Sequence, residues 1–162
     1  MKLRDHRFFF NMIWLIILIT IPLPLIITVD NGLETLSSSS EIMGINFGVF
    51  AYTWMLSAIY LSSQPKWLDR IIGLPDMYII HGVTAVFAVV FMWLHDNMLI
   101  SAGLISLTGD ISLYLFTAIL VYSLVFMAGW LTSRVKFLMT IKKGLEKIFK
   151  HELSMWLHRL NL

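Results

Sequence analysis

The 162-residue chain contains no cysteine, and only 14% of its residues are charged. The lack of cysteine excludes disulfide bonds, Cys-ligated zinc and thiolate-bound iron–sulfur clusters within the chain. The chain also has no phosphate-binding P-loop, no GxGxxG fingerprint and no nucleic-acid motif. We therefore expect no nucleotide-binding domain and no nucleic-acid partner.

Long apolar segments dominate the remaining sequence. The hydrophobic fraction is 58% and the mean hydropathy is +0.79. Apolar runs of about twenty residues are long enough to cross a bilayer as helices, so we predict an all-α, polytopic membrane helical bundle in one domain, residues 1–162. The four complete transmembrane helices are predicted at about residues 8–29, 44–63, 77–95 and 111–131.

Two further segments follow the fourth predicted span. Residues 135–150 combine regularly spaced apolar positions with a basic cluster, which predicts an amphipathic helix on the membrane surface. Residues 153–162 read as the start of a fifth span, because a complete span needs about twenty residues. We therefore expect the chain to begin a fifth helix and to be truncated within it.

The first run follows Lys2, Arg4 and Arg7, as in a signal peptide, but about twenty-two apolar residues exceed the length of a signal sequence. It is predicted to be a retained span, kinked near Pro22 and Pro24.

The basic residues are distributed unevenly between the loops. Residues 30–43 and 96–110 contain no Lys or Arg, whereas the N-terminus, the loop with Lys66 and Arg70, and the region after residue 131 are basic. The positive-inside rule therefore predicts a multi-pass protein of the cell membrane with a cytoplasmic N-terminus. Asp76 is predicted to cap the third span as it enters the lipid bilayer.

The second predicted span is rich in small residues, including Gly48, Ala51, Ser57 and Ala58. Such residues let neighbouring membrane helices approach closely. The sequence favours ordinary helix contact for them over a role in binding a ligand.

Two histidines lie within the third predicted span. His81 and His95 are fourteen residues apart, which places them near one helical face and about 21 Å apart along the axis. Ionisable residues in lipid are costly unless they are neutral and paired, which favours a functional role. By topology, His158 would lie at the same membrane face as His81.

Neutral imidazole binds several metals, including iron, zinc and copper. Three histidines spread over about 20 Å cannot surround one ion, whereas a haem needs two axial ligands from facing helices. The sequence therefore favours haem ligation. The alternative is a non-enzymatic membrane subunit or transporter module in which the histidines are structural.

Several motifs accompany the histidine pair: Leu68-Asp-Arg70 followed by Gly73-Leu74 before the third span, an internal N-terminus, and Trp156-Leu-His-Arg-Leu160 at the end. Together they resemble the transmembrane domain of bacterial ferric reductases and NADPH oxidases. The resemblance extends from the second half of the second span to the end of the chain.

This resemblance implies a six-helix bundle with two stacked b-type haems, each ligated by histidines from the third and fifth helices. His81 and His158 would ligate the inner haem and His95 the outer haem. Electrons would come from NAD(P)H through FAD in a cytoplasmic dehydrogenase domain or subunit, and would reduce oxygen or ferric iron outside.

The resemblance also defines what these residues lack. The second histidine of the fifth helix would lie beyond Leu162, and the flavin and NAD(P)H domains are not encoded. The chain alone would therefore form at most one good haem site, and it contains no predicted catalytic residue. Whether the chain acts as an enzyme therefore depends on the flavin and NAD(P)H domains and on the second outer haem ligand.

Overall fold

The computed structural model describes residues 7–33 and 38–126. These residues form helices and no strands, in the order α1 (Arg7–Thr20), α2 (Leu23–Leu33), α3 (Ser39–Ser62), α4 (Lys66–Ile72), α5 (Leu74–Met98) and α6 (Leu104–Phe126). The amphipathic helix predicted at 135–150 and the partial span predicted at 153–162 lie outside the described residues.

Four segments of the described chain are long and apolar enough to cross a membrane: Met12–Leu33, Ser39–Ser62, Leu74–Met98 and Leu104–Leu124. Many of their large apolar side chains point outward, such as Ile16 and Ile27, which are 61% and 60% exposed. Lipid is the medium that accommodates such a surface. The prediction of an all-α, multi-pass membrane protein is confirmed at this level.

The first span is divided into α1 and α2 at Ile21 and Pro22. Pro22 has no N–H group, so it cannot donate the helical hydrogen bond to the carbonyl of Leu18. The indole N–H of Trp54 on α3 donates to that carbonyl instead, at 2.8 Å. The break at the predicted proline kink is therefore also a point where α3 is attached to α1.

Both central helices begin before the positions that the sequence predicted. α3 starts at Ser39 because Ser38 and Glu41 form a capping box, in which the Ser38 N–H donates to Glu41 Oε2 at 2.8 Å. The prediction that Asp76 caps the third span is wrong. Gly73, with φ of 89°, is the N-cap of α5, and Asp76 lies in the first turn, where its charge favours the helix dipole.

The core of the residue 1–106 unit forms where α3 and α5 pack antiparallel. Next to this interface, a buried apolar cluster joins α3, α4 and the start of α5, with Trp14 of α1 packed against it. Its buried members are Leu61, Leu68, Ile72 and Met77.

Most of α6 belongs to a second compact unit, residues 107–162. Within this helix, the hydroxyls of Ser112 and Thr117 donate to carbonyls one turn earlier, at 2.8 and 2.7 Å. These bonds satisfy polar groups that a bilayer could not solvate.

Candidate functional site

Each histidine of α5 contacts a backbone carbonyl of α3. The Nδ1 atom of His81 lies 2.8 Å from the Ala58 oxygen, and the Nδ1 atom of His95 lies 2.9 Å from the Gly44 oxygen. A carbonyl only accepts hydrogen bonds, so Nδ1 carries the proton in each ring. In a neutral imidazole, the lone pair is then on Nε2.

The two contacts repeat with the same spacing on both helices. Gly44 and Ala58 are fourteen residues apart on α3, as His81 and His95 are on α5. Because the helices are antiparallel, the same contact between a histidine Nδ1 atom and an α3 carbonyl occurs at two levels of the interface. Both rings lie on the α3-facing side of α5, in agreement with the single face that their spacing predicts.

Glycine brings the backbone of α3 close to α5 at the level of His95. A Cβ atom at Gly48 would lie 2.6 Å from Nδ1 and 2.8 Å from Cε1 of His95. A Cβ atom at Gly44 would lie 3.0 Å from the Cβ of Met98. The imidazole therefore occupies space that any other residue at position 48 would fill with its own side chain.

The small residues of α3 thus do more than provide the ordinary helix contact that the sequence favoured. Gly44 and Ala58 supply the carbonyls that orient the histidines, and Gly48 makes room for one ring. Sequence reasoning missed these roles. The matching fourteen-residue spacing of the two pairs was the available signal, although it identifies acceptors only if the helices pack in this register.

Aromatic rings of α3 and α5 contact one another between the two histidine levels. Trp54 and Phe91 are the centre of this aromatic layer, with an edge-to-face arrangement and centroids 5.2 Å apart. One stacked, one tilted and two further edge-to-face contacts, with centroids 5.3–5.7 Å apart, add Phe47, Phe50 and Phe87 to the layer. In the His81 and His95 rings, Nδ1 and Nε2 point in different directions. Each Nε2 is therefore directed away from the α3 carbonyl that Nδ1 contacts.

A separate polar contact joins α2 to α3. The amide nitrogen of Asn46 donates to Asp30 Oδ1 at 2.9 Å, and the Asn46 Oδ1 atom is buried without a partner among the described residues. The two residues are sixteen positions apart in sequence. No histidine takes part in this contact.

The arrangement presents His81 and His95 as two separate candidate metal ligands. Within residues 7–33 and 38–126, no group of three or more His, Cys, Asp or Glu side chains is placed to hold a metal ion. The third candidate ligand, His158, lies outside the described residues, so its pairing with His81 stays a prediction.

Comparison of the chain with protein-family models, curated proteins and solved structures finds no match. The resemblance to ferric reductases and NADPH oxidases therefore depends on the motifs in the sequence.

Proposed function

We propose that the chain is the haem-binding transmembrane electron-transfer module of an oxidoreductase of the ferric reductase and NADPH oxidase type. The observation that carries this proposal is the pair of Nδ1 contacts from His81 and His95 to carbonyls of α3. Both rings belong to the apolar helix α5, and each presents Nδ1 to a carbonyl, which leaves Nε2 as the ligand nitrogen of the neutral ring.

The residues fit the requirements of haem iron. An axial histidine binds iron through a neutral ring nitrogen, and a hydrogen bond from its other nitrogen fixes the tautomer and raises its basicity. The carbonyls of Ala58 and Gly44 provide that hydrogen bond at each level. Haem b, when bound, supplies reversible one-electron transfer. His81 and His158 would hold the inner haem, and His95 would provide one ligand of the outer haem.

The protein's own contribution is to orient ligands and to exclude water. Gly48 allows the His95 ring to lie against α3, which limits its rotation. The aromatic layer keeps the interface between the two histidine levels apolar, and low polarity around a haem is one determinant of its potential. The protein makes and breaks no bonds in this relay.

The proposed pathway requires parts that these 162 residues do not encode. A cytoplasmic dehydrogenase domain or subunit with FAD would take electrons from NAD(P)H, and oxygen or ferric iron would accept them outside the cell membrane. The basic N-terminus and the basic loop with Lys66 and Arg70 support a cytoplasmic position for that side of the bundle.

Absorption spectroscopy tests the proposal. The chain is expressed with haem supplementation, purified in detergent, and assayed for a Soret band and for haem content. We expect His81→Ala to remove the bound haem and His95→Ala to change it little, because only the inner site has a second ligand in this chain. His6→Ala, outside the predicted spans, is the matched control. The reverse order of effects would overturn the ligand assignment.

The same hydrogen bonds favour a second candidate function, a non-enzymatic membrane subunit. Each histidine joins α5 to α3, and interhelical hydrogen bonds stabilise membrane bundles. In this case the supplemented protein would have no Soret band, and His81→Ala would still lower the temperature of unfolding. The spectrum therefore separates the two candidates, whereas stability alone does not.

A further inference from the structure

Helix α4 joins the end of α3 to the start of α5 and has three different sides. Residues four positions apart lie on nearly the same side of a helix, and successive residues are offset by about 100°. Leu68 and Ile72 are buried and form the side that packs into the apolar cluster. Trp67 and Ile71, which are 54% and 39% exposed, form the next side. The short helix is therefore held by one apolar side and presents a second one outward.

The third side of α4 carries two cations. Lys66 and Arg70 are exposed, and neither forms an ion pair with a described residue. The carboxylates of residues 64–76, which belong to Asp69 and Asp76, are half-buried instead. The charge that this segment exposes is therefore mainly positive, and an anionic partner would complement it.

Aromatic side chains attach α4 and the residues beside it to the ends of two candidate membrane spans. The indole N–H of Trp67 donates to the Tyr60 hydroxyl at 2.9 Å, and the Gln64 amide donates to the Tyr78 hydroxyl at 2.6 Å. Tyr60 lies in the last turn of α3, and Tyr78 lies near the start of α5. Tryptophan and tyrosine favour the boundary between membrane and water, because each has an apolar ring and a polar group that needs a partner. The cationic side of α4 therefore lies at the level of the lipid head groups.

The exposed apolar side of α4 is continuous with the outer surface of α3. Trp67 contacts Tyr60, and Leu56, one turn earlier on the same side of α3, is also exposed. A free phosphate ion would pair with the cations but leave this apolar surface uncovered. A soluble protein would have to cover Trp67 at the edge of a surface that faces lipid. A phospholipid with a negatively charged head group supplies the anion and the acyl chains together, so it fits both sides.

We propose that α4 binds an anionic phospholipid. The head-group phosphate pairs with Lys66 and Arg70, and the upper part of an acyl chain lies against Trp67 and Ile71. The two cations are one helical turn apart, so both can reach the same head group. Each cation close to an anionic membrane surface contributes about fivefold to binding, so the pair predicts a preference of about thirtyfold over a zwitterionic lipid. Binding requires neither haem nor a dehydrogenase partner.

The first experiment measures this preference at Trp67. The full chain is labelled with 5-fluorotryptophan, purified in detergent, and titrated at low salt with phosphatidylglycerol or phosphatidylcholine. Fluorine NMR follows the Trp67 signal, which is identified by its loss in Trp67→Phe. We expect phosphatidylglycerol to shift this signal at a concentration about thirtyfold lower than phosphatidylcholine does. In the double variant Lys66→Gln with Arg70→Gln, the two lipids should act at equal concentrations, and an unchanged preference would overturn the proposal.

Two controls separate the α4 site from other sources of binding. Lys142→Gln with Lys143→Gln removes the same charge from another part of the chain, and it should leave the preference at Trp67 unchanged. An equal loss of preference in both double variants would show that net charge selects the lipid. Glycerol 3-phosphate, which has the phosphate without the acyl chains, should not shift the Trp67 signal. A shift as large as that of phosphatidylglycerol would mean a site for free phosphate. Either result would overturn the proposal.

The second experiment tests whether lipid or a soluble protein covers the apolar side of α4. A phospholipid with a nitroxide on the acyl chain near the head group, or a water-soluble gadolinium chelate, is added to the labelled chain. We expect the nitroxide lipid to broaden the Trp67 signal more than the chelate does. The reverse order would place the Trp67 ring in water, where a soluble partner is the better match, and would overturn the lipid proposal. The signal of Trp54, whose indole is bonded to the Leu18 carbonyl, should keep its position in every variant and so report that the fold is retained.

Discussion

The imidazole of His95 lies directly against Gly48, the residue on α3 where a Cβ atom would come within 2.6 Å of Nδ1. The same nitrogen contacts the carbonyl of Gly44 one turn earlier, at 2.9 Å. The ring is therefore positioned by the backbone of α3, and the glycine is required by close approach.

Gly48→Ala should displace the His95 ring and weaken its bond to Gly44. Alanine favours a helix over glycine by about 1 kcal/mol, so propensity alone would stabilise the variant. We expect a net loss of about 1–3 kcal/mol instead, because the ring must move and its hydrogen bond is broken. Denaturant unfolding of the purified chain in detergent measures the difference.

Gly82→Ala is the control for this substitution. Gly82 is also a helical glycine, next to His81, and a Cβ atom there would meet nothing within 4 Å among the described residues. Its stability should stay equal to the wild type or rise by up to about 1 kcal/mol. If Gly48→Ala is as stable as Gly82→Ala, the close packing of Gly48 against His95 is refuted.

The tautomers of His81 and His95 provide a second prediction. Both rings should carry their proton on Nδ1 in haem-free protein, because each Nδ1 faces a carbonyl. Nitrogen-15 NMR of histidine-labelled protein distinguishes a protonated Nδ1 from a protonated Nε2. In Gly48→Ala the His95 signals should change while those of His81 stay the same. Protonation of Nε2 in the wild type would contradict the arrangement.

The sequence predicted the helical class and the common face of His81 and His95, because these depend on hydrophobic length and on helical period. It did not predict the acceptors Gly44 and Ala58, since their contribution is a backbone carbonyl, which every residue has. The early start of α3 was missed for another reason. The polar composition of residues 38–41 predicts a loop, but Ser38 and Glu41 have the spacing of a capping box.

The bond between Trp54 and Leu18 leads to a third prediction. Trp54→Phe should cost about 1 kcal/mol or more, because the Leu18 carbonyl loses its donor within an apolar span. In the Pro22→Ala background the same substitution should cost less, since position 22 then has an N–H group that can bond to Leu18. A double-mutant cycle measures this coupling. Equal costs in both backgrounds would show that Pro22 does not determine the role of Trp54.

The hydrogen bond from Asn46 to Asp30 supports a last prediction about how α2 is held. Asp30→Ala removes the acceptor and leaves the Asn46 amide with neither end bonded among the described residues. We expect a loss of about 1–3 kcal/mol, the cost of a buried polar group without a partner. Replacing both partners, as in Asp30→Ala with Asn46→Leu, should recover most of that loss, because no polar group is then left unsatisfied. Unfolding measurements on the three variants decide the matter, and a double variant less stable than Asp30→Ala would show that the amide has another essential contact.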